Sequence, residues 1–343
     1  MPAVKEAAEA QAALAARIIE STETVFLTKR YPVKRTVVAL PFVARFLPTR
    51  NRTRYRRFEK AMTVAYFGTG LLGSGFVRAM LERGQDVRVW NRTIAKARAL
   101  EPYGAVVCET PEDAVRGASV LHVTLADDAS VDEVLEPLAG VLDAETFVID
   151  HTTTAPAPTA ERARRWRERG VAFVHAPVFM GPGNAREATG IIMVCGDPAL
   201  RERAKPLLER MTGRVVDLGD DPARAAAFKL MGNMMLVFTV SGLADVYRFA
   251  ASMGIDARDA HDVFSFFMPI NAINFRGKAM ANGDFTPQWE LTMARKDVRL
   301  MMEEAGRHGT SLAILPSIAA FFDRYIADGH GAEDVGVVAL QTP

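Results

Sequence analysis

Thr63-Val-Ala-Tyr-Phe-Gly-Thr-Gly-Leu-Leu-Gly-Ser-Gly75 is the segment on which the fold of this chain depends. Its first five residues are mostly apolar and favour β structure, which predicts one buried strand over Thr63 to Phe67. From Leu71 to Glu82 the apolar side chains repeat with the period of a helix. Between strand and helix, glycines stand at G-x-G-x-x-G spacing, at Gly68, Gly70 and Gly73.

Each of these glycines has a physical role in a turn that binds a dinucleotide. Gly68 permits the tight turn, Gly70 lets the backbone approach a pyrophosphate, and Gly73 lets helix and strand pack closely. The N-terminus of the helix adds free N–H groups and the positive end of its dipole. The motif alone is a weak signal, but strand, turn and helix agree here. We therefore predict that the cofactor contacts the residues of this turn, which are Gly68, Thr69, Gly70, Leu71, Leu72 and Gly73.

The end of the second predicted strand bears on which dinucleotide is bound. Asn91-Arg92-Thr93 follows this strand, which covers Asp86 to Trp90. Enzymes that use NAD carry an Asp or Glu near this point, whereas an Arg accommodates the 2′-phosphate of NADP. Arg92 offers bidentate hydrogen bonds to such a phosphate, and Asn91 and Thr93 add neutral donors. The pattern favours NADP over NAD; the alternative is that Arg92 is a solvated surface side chain.

Strands and helices go on alternating as far as residue 218. Further strands are predicted over residues 105–108, 119–125, 146–150, 171–178, 191–195 and 214–218. This alternation predicts an α/β fold with a doubly wound parallel sheet of the Rossmann type. Because ligands of such sheets bind at the carboxyl ends of strands, we place Leu125, Ala126 and Thr153 beside the cofactor. The alternative for Thr153 is a helix N-cap.

From Pro222 the strand signals stop and a long helical segment begins. Ala223 to Ser252 contains few helix breakers and is apolar almost all round near its start, which predicts a buried helix or pair of helices. Lys229 and Asn233 are four residues apart, so they share one face and can act on one ligand. Burial lowers the pKa of a lysine toward values useful in proton transfer. Lys229 is thus a candidate catalytic residue; the alternative is that it extends to the surface or pairs with an acid.

Net charge divides the chain into a basic leader and a mildly acidic remainder. Residues 1–61 carry a net charge of +8, which leaves −7 for residues 62–343. The arginines of the leader could touch nucleic acid or an anionic lipid surface. We expect instead a solvated, poorly ordered arm, with no nucleic-acid partner and no membrane. A related hypothesis is that Met62, directly before the first strand, is the natural start.

Cysteine and histidine usage excludes other classes of site. Cys108 and Cys195 form no C-x-x-C pair, which suits a reducing cytosol, so we expect a cytoplasmic protein. The six histidines lack metal-ligand spacing and predict no metal site. His151 and His175 lie near predicted strand ends, where we interpret them as structural. Apolar runs stay well short of the roughly 20 residues needed to span a membrane.

The motifs, taken in order, resemble those of the β-hydroxyacid dehydrogenases, which include 3-hydroxyisobutyrate dehydrogenase, glyoxylate/succinic semialdehyde reductase and 6-phosphogluconate dehydrogenase. The resemblance covers about residues 62–325 and implies that Lys229 is the general acid and base while Asn233 orients the substrate. It also implies that Lys296 reaches the cofactor and that Thr152 and Thr153 lie by the nicotinamide. The matching segments are Gly68-Thr-Gly-Leu-Leu-Gly73, Asn91-Arg-Thr93, Asp150-His-Thr-Thr153, Lys229-x-x-x-Asn233 and Lys296-Asp297.

The resemblance also implies a domain organisation and an assembly. A cofactor-binding Rossmann domain would cover residues 62–221, and an all-helical domain for substrate binding and dimerisation would cover residues 222–343. Because members of the family are usually dimers or tetramers, we expect a homodimer or homotetramer.

One departure from the family pattern affects the substrate. Members usually read Asp-Ala-Pro-Val-Ser-Gly-Gly where this chain has His175-Ala-Pro-Val-Phe-Met-Gly181. The family's Ser-Gly-Gly turn binds the substrate carboxylate through a hydroxyl and backbone N–H groups. Phe179 removes the hydroxyl, Met180 adds bulk and Gly181 is retained, so we expect these substrate-binding residues to form a more apolar pocket. The alternative is that backbone donors still bind a carboxylate and Phe179 merely packs.

The resulting prediction is an NADP-dependent oxidoreductase that moves hydride between the nicotinamide and a small hydroxy acid, aldehyde or keto compound. Two alternatives stand beside it. One is an imine-reductase-like enzyme that reduces C=N bonds, although such enzymes generally lack the lysine at position 229. The other is a non-catalytic NADP-binding adaptor, for which the basic leader would be suitable.

Overall fold

Two sheets are built from the strands of residues 62–340, the part of the chain described by a computed structural model. The basic arm predicted for residues 1–61 lies outside the described residues. The strands are β1 (Thr63–Phe67), β2 (Asp86–Trp90), β3 (Val106–Val107), β4 (Val120–Val123), β5 (Phe147–Asp150), β6 (Ala172–His175), β7 (Val178–Phe179), β8 (Ile191–Val194) and β9 (Arg214–Asp217).

Helices alternate with the strands up to β9 and then follow one another without strands. The first group is α1 (Leu71–Glu82), α2 (Ile94–Arg98), α3 (Pro111–Val115), α4 (Asp128–Leu135), α5 (Pro156–Glu168), α6 (Pro182–Glu187) and α7 (Pro198–Leu208). The second is α8 (Arg224–Ser252), α9 (Ala257–Phe266), α10 (Ile270–Asn274), α11 (Arg276–Ala281), α12 (Leu291–Arg307) and α13 (Leu315–Tyr325). The predicted fold class, a Rossmann sheet followed by an all-helical region, is confirmed.

The main sheet has six parallel strands in the order β3-β2-β1-β4-β5-β6. Side chains on both faces of its central strands are buried, and each face contributes to a separate hydrophobic core. A parallel sheet covered by helices on both faces is expected to carry such continuous apolar strands. The strand order reverses between β1 and β4, and this switch point is where ligands of doubly wound sheets bind.

The second sheet corrects one strand assignment. Residues 171–178 were predicted as one strand, but that prediction is wrong, because the chain leaves the main sheet after His175 and joins β8 from Val178. The break falls at Pro177, which has no backbone N–H to continue a ladder. Its carbonyl accepts a hydrogen bond from Met193 N at 2.9 Å, which starts the pairing in the order β7-β8-β9.

The long helix α8 is anchored at both ends but exposed along its middle. Near its start, Ala225 N donates to Cys195 Sγ at 3.2 Å; later, Asp245 accepts from Ala313 N and Ile314 N, both at 2.8 Å. The prediction of a helix buried all round is wrong for the single chain, in which Val240 is 67% exposed. By length and composition alone α8 could also cross a membrane, although a subunit interface presents the same composition.

The boundary predicted between residues 221 and 222 stays a prediction. It falls in the connection between the end of β9 at Asp217 and the start of α8 at Arg224.

Candidate active site

A cavity of about 460 Å³ lies at the carboxyl ends of β1, β2, β4 and β5, closed on one side by β7 and α8. It brings together side chains and backbone from seven separate segments of the chain. Its lining comprises Gly68, Gly70, Leu71, Leu72, Gly73, Trp90, Asn91, Arg92, Thr93, Lys96, Thr124, Leu125, Ala126, Ser130, Glu133, Val134, His151, Thr152, Thr153, Val178, Met180 and Lys229.

The glycine turn of this cavity has the shape that a pyrophosphate requires. A Cβ at Gly68 would stand 1.9 Å from Thr124 O, and one at Gly73 would stand 1.9 Å from Gly68 O. Gly68 also has φ +88°, in the left-handed region that favours glycine. A Cβ at Gly70, by contrast, would meet no atom within 4 Å, so the backbone there faces open space at the start of α1. The turn therefore fits a phosphate group.

Asn91 braces the glycine turn against the neighbouring loop. Its Oδ1 accepts from Thr69 N at 3.0 Å, and its Nδ2 donates to Thr93 O at 2.9 Å. Gly68 N donates to Trp90 O at 3.2 Å, which holds the same two segments together. Asn91 thus positions the cofactor-binding turn through the backbone, in addition to lining the cavity.

Arg92 and Lys96 make this end of the cavity positive. Both line it, four residues apart, at the end of β2 and in the first turn of α2. The Arg92 side chain is 77% exposed and stands 3.8 Å from Glu133, which is 69% exposed, so this ion pair is weak. Arg92 can therefore turn toward a phosphate without breaking a strong interaction.

Thr152 and Asp150 order the loop that follows β5. Thr152 Oγ1 accepts from Leu125 N at 3.0 Å, and Thr152 N donates to Asp150 Oδ1 at 2.9 Å. Burial opposes ionisation of Asp150, but His175 at 3.5 Å and the Thr152 donors hold the pKa of this carboxyl below its usual range. Thr153, next in the chain, lines the cavity.

His151 lies beneath the cavity in a column of stacked rings. Its ring centroid is 5.2 Å from that of His122 and 5.6 Å from that of Phe76. Its Nδ1 donates to Ala176 O at 2.7 Å, and its Nε2 is 3.0 Å from Nδ1 of His122. Burial lowers the pKa of His151 to about 4 and that of His122 well below its ordinary value, so both rings are neutral near pH 7.

Lys229 is the charged group at the opposite end of the cavity from Arg92. Its Nζ donates to Asn233 Oδ1 at 3.0 Å, as the four-residue spacing predicts. The same Nζ lies 4.6 Å from the ring centroid of Phe179. The side chain is half-buried, and burial lowers the pKa of its ammonium. A lysine held in this way can exchange a proton with a ligand in the cavity.

Several predicted site residues stand outside the cavity lining. Thr69 is buried. Asn233 and Phe179 each contact the ammonium of Lys229, which itself lines the cavity. Gly181 begins helix α6, where its N–H donates to Asn184 Oδ1 at 3.0 Å. Lys296 pairs with Asp297 at 2.9 Å on α12. The roles predicted for these residues stay predictions.

Some lining residues escaped the sequence analysis. His151 was interpreted as structural, and its buried hydrogen bonds fit that role, yet it also lines the cavity. His151 directly precedes Thr152 and Thr153 at the end of a parallel strand, and this position could have indicated that it lies beside the ligand. Lys96 was missed although it stands one helical turn after Arg92. Glu133 and Ser130 come from α4, and only the packing of that helix places them here.

Among residues 62–340, no group of three or more histidine, cysteine or acidic side chains is arranged to hold a metal ion. The cysteines Cys108 and Cys195 are both free.

Comparison with protein families identifies both halves of the described chain. Residues 63–219 match the family described as the NAD binding domain of 6-phosphogluconate dehydrogenase. Residues 223–340 match the family described as NAD-binding of NADP-dependent 3-hydroxyisobutyrate dehydrogenase.

Individual proteins agree with these matches. An oxidoreductase of Bacillus subtilis is 28% identical over 80% of this chain and 97% of its own length. Glyoxylate/succinic semialdehyde reductase 1 of Arabidopsis thaliana is 26% identical over 81% of this chain and 97% of its own. The solved structure of an imine reductase from Myxococcus stipitatus with NADP⁺ superposes with a TM-score of 0.75, at 20% identity, over 80% of this chain and 98% of that one. That last likeness shows the shared fold.

Proposed function

The chain belongs to the β-hydroxyacid dehydrogenase family of NAD(P)-dependent oxidoreductases, and from that premise we propose that it uses NADP(H) to interconvert a small hydroxy compound and its aldehyde or ketone. The observation that carries the proposal is the placement of Lys229. A half-buried lysine stands in the cavity whose other end is the glycine turn and Arg92.

Bound NADPH supplies the hydride, so that one carbonyl group, one NADPH and one proton give one alcohol and one NADP⁺. The chain's own residues supply the proton and the geometry. Lys229 Nζ donates the proton to the oxygen on which negative charge develops, and takes it back in the oxidative direction. Because burial lowers the pKa of this ammonium, the proton is released more readily than from an exposed lysine.

Asn233 holds the ammonium group of Lys229 in one orientation. Its Oδ1 accepts one of the three Nζ protons at 3.0 Å, which leaves the others for the ligand. The Asn233 amide nitrogen is then free to donate to a substrate oxygen. This division of roles supports the assignment of Lys229 as the general acid and base and of Asn233 as the residue that orients the substrate.

The choice of NADP rests on charge at the end of β2. Arg92 and Lys96 line the cavity there, opposed by Glu133, which is mostly exposed. Two cations favour a cofactor that carries an additional phosphate, and Arg92 can bind it in a bidentate manner.

We also propose that the working protein is a homodimer in which α8 of one copy packs against the other. The exposed apolar side chains of α8 surround its middle on all sides, because seven of them fall within ten consecutive residues. We call this surface the α8 face: Met231, Met234, Met235, Leu236, Val237, Phe238 and Val240, each 46–67% exposed. This surface extends over about 15 Å of the 29-residue helix, and an exposed apolar surface of this kind favours burial against a partner. A second copy is the partner implied by the family resemblance.

The experiment that tests the function is an assay of NADPH oxidation with a panel of small aldehydes, ketones and cyclic imines. We expect steady turnover with at least one of the carbonyl compounds and weaker use of NADH. NADPH binding without turnover of any carbonyl or imine would instead support the non-catalytic adaptor. Turnover of cyclic imines alone would support the imine-reductase alternative.

A further inference from the structure

We propose that Phe179 makes this site select uncharged carbonyl substrates, because its ring occupies the place beside Lys229 where a substrate carboxylate would bind. The inference rests on the function proposed above and names the class of substrate. It departs from the carboxylate substrates that the family resemblance implies.

The ring of Phe179 is seated against α8 next to the lysine. Phe179 pairs with Ile191 in the second sheet, which fixes its backbone. Its ring lies so close to Gly232 that a Cβ there would stand 2.2 Å from Phe179 Cζ. Gly232 is three residues after Lys229 and therefore on the same side of the helix. The absence of a side chain at position 232 is what admits the ring.

The ring suits the lysine and disfavours an anion. Lys229 Nζ lies 4.6 Å from the ring centroid, within the range of a cation–π contact. The same negative ring face that attracts the ammonium repels a carboxylate. A carboxylate placed here would also lose water without gaining the hydroxyl donor of a serine, and such unpaired burial is costly.

The backbone of the 179–181 turn offers little compensation. Gly181 N donates to Asn184 Oδ1 at 3.0 Å, and the Asn184 amide is held in turn by Thr189 Oγ1 at 3.0 Å. The next residue, Pro182, has no N–H. The alternative that backbone donors bind a carboxylate is therefore weakened, because one of those donors already has a partner.

The cation distribution leads to the same conclusion. Of the cavity-lining cations in the described part of the chain, Arg92 follows β2 and Lys96 lies in α2, whereas Lys229 on α8 is the one beside Phe179. A carboxylate would have to compete with Asn233 and Phe179 for the ammonium that donates the catalytic proton. Val178 and Met180 line the cavity and are also apolar, whereas Phe179 meets the cavity at Lys229.

The test compares 4-oxobutanoate with its methyl ester, two aldehydes that differ at the far end in charge and in one methyl group. We expect the wild-type kcat/KM with NADPH to favour the ester by about tenfold or more. Phe179→Ser, which restores a hydroxyl and opens the space, should shift this ratio toward the acid by about tenfold. Phe179→Leu, which keeps an apolar side chain, is the matched control and should still favour the ester.

Equal or better turnover of the acid by the wild-type protein would overturn the inference and leave the proposed function standing. This comparison needs no variant, so a poorly folded Phe179→Ser protein does not block the test. If NADPH binds but neither these two aldehydes nor any carbonyl compound of the panel is reduced, the proposed function fails. The NADP⁺-saturated protein is then titrated with 4-hydroxybutanoate and 1,4-butanediol: tighter binding of the acid overturns the inference, and tighter binding of the diol supports it.

Discussion

His151 and His122 illustrate what a single residue contributes to this site. The carbonyl of Ala176 can only accept, so Nδ1 of His151 carries a proton and Nε2 does not. His122 must then donate from Nδ1 to His151 Nε2. Protonation of His151 at Nε2 would remove the acceptor of this hydrogen bond, which ties the floor of the cavity to pH.

We therefore expect the free energy of unfolding to depend on pH through His151. Its folded pKa of about 4 lies below the unfolded value of 6.5, so the unfolded chain binds more protons between these values. The stability is fully present above pH 6.5 and declines as the pH falls toward 4, by about 3 kcal/mol from this residue. Urea denaturation of wild type and His151→Gln across this range measures the difference.

His151→Gln should flatten this pH dependence, because the substitution removes a side chain that the native state holds neutral. Identical slopes in the wild type and His151→Gln would show that His151 is not held neutral.

The sequence predicts single residues well where local chemistry decides their role. The glycines of the turn and Arg92 were assigned from spacing and position alone, and they do meet at one cavity. The contact between Phe179 and Gly232 could not be predicted, because 53 positions separate the two residues and only the packing of β7 on α8 joins them. The stacking of His122 on His151 could not be predicted from the sequence for the same reason.

At the scale of elements, the junction of β1 and α1 contains one glycine that is needed for folding and another that is needed for ligand binding. Gly73 sits where the helix crosses the strand, and a Cβ would meet Gly68 O at 1.9 Å. Gly70, three residues earlier, has an ordinary φ of −69°, and a Cβ there would have no neighbour within 4 Å. One glycine is needed for packing, and the other leaves room for a ligand.

We expect opposite results from alanine at these two positions. Gly73→Ala should lower the free energy of unfolding by about 2 kcal/mol or more, because backbone must move. Gly70→Ala should change stability by less than about 0.5 kcal/mol while weakening NADPH binding about tenfold or more. Thermal denaturation and fluorescence titration with NADPH measure the two effects. Unchanged NADPH affinity in Gly70→Ala would contradict the placement of the pyrophosphate.

Elements were predicted most reliably where hydrophobic period and turn chemistry agreed. Apart from β6, the strands of the main sheet follow from the sequence with small shifts at their ends. The sequence left open whether the segment from Ala223 is one helix or two, and the structure has one. Two strands of the second sheet, β8 and β9, were predicted, but their separation from the main sheet was not, because β7, which pairs with β8, has only two residues and directly follows β6. The prediction that α8 is buried was wrong for the single chain. An apolar helix sequence indicates that the helix needs a surface to cover it, but it does not reveal whether that surface belongs to the same chain.

At the scale of the whole molecule, we expect the α8 face to mediate the proposed dimer. Phe238, 61% exposed, lies near its middle. We expect the wild-type protein to sediment as a dimer at micromolar concentration without detergent, and Phe238→Asp to sediment as a monomer, because a buried unpaired carboxylate is costly. Ala199→Asp, at an exposed position in the first turn of α7, is the matched control and should remain dimeric.

A wild-type monomer in dilute buffer would contradict the dimer. Partition of the protein into membranes would instead assign the α8 face to lipid. Either result would leave the cofactor cavity as described, because Lys229 and the glycine turn meet within one chain.

The most direct test of the account is the effect of Lys229→Ala on NADPH oxidation with the best aldehyde of the panel. Removing the group that donates the proton should lower kcat about 100-fold or more, while the Kd for NADPH changes less than about threefold. Lys205→Ala, which removes an exposed lysine of α7, should behave as wild type. Undiminished turnover in Lys229→Ala, with cofactor bound, would contradict the assignment of Lys229 as the general acid and base.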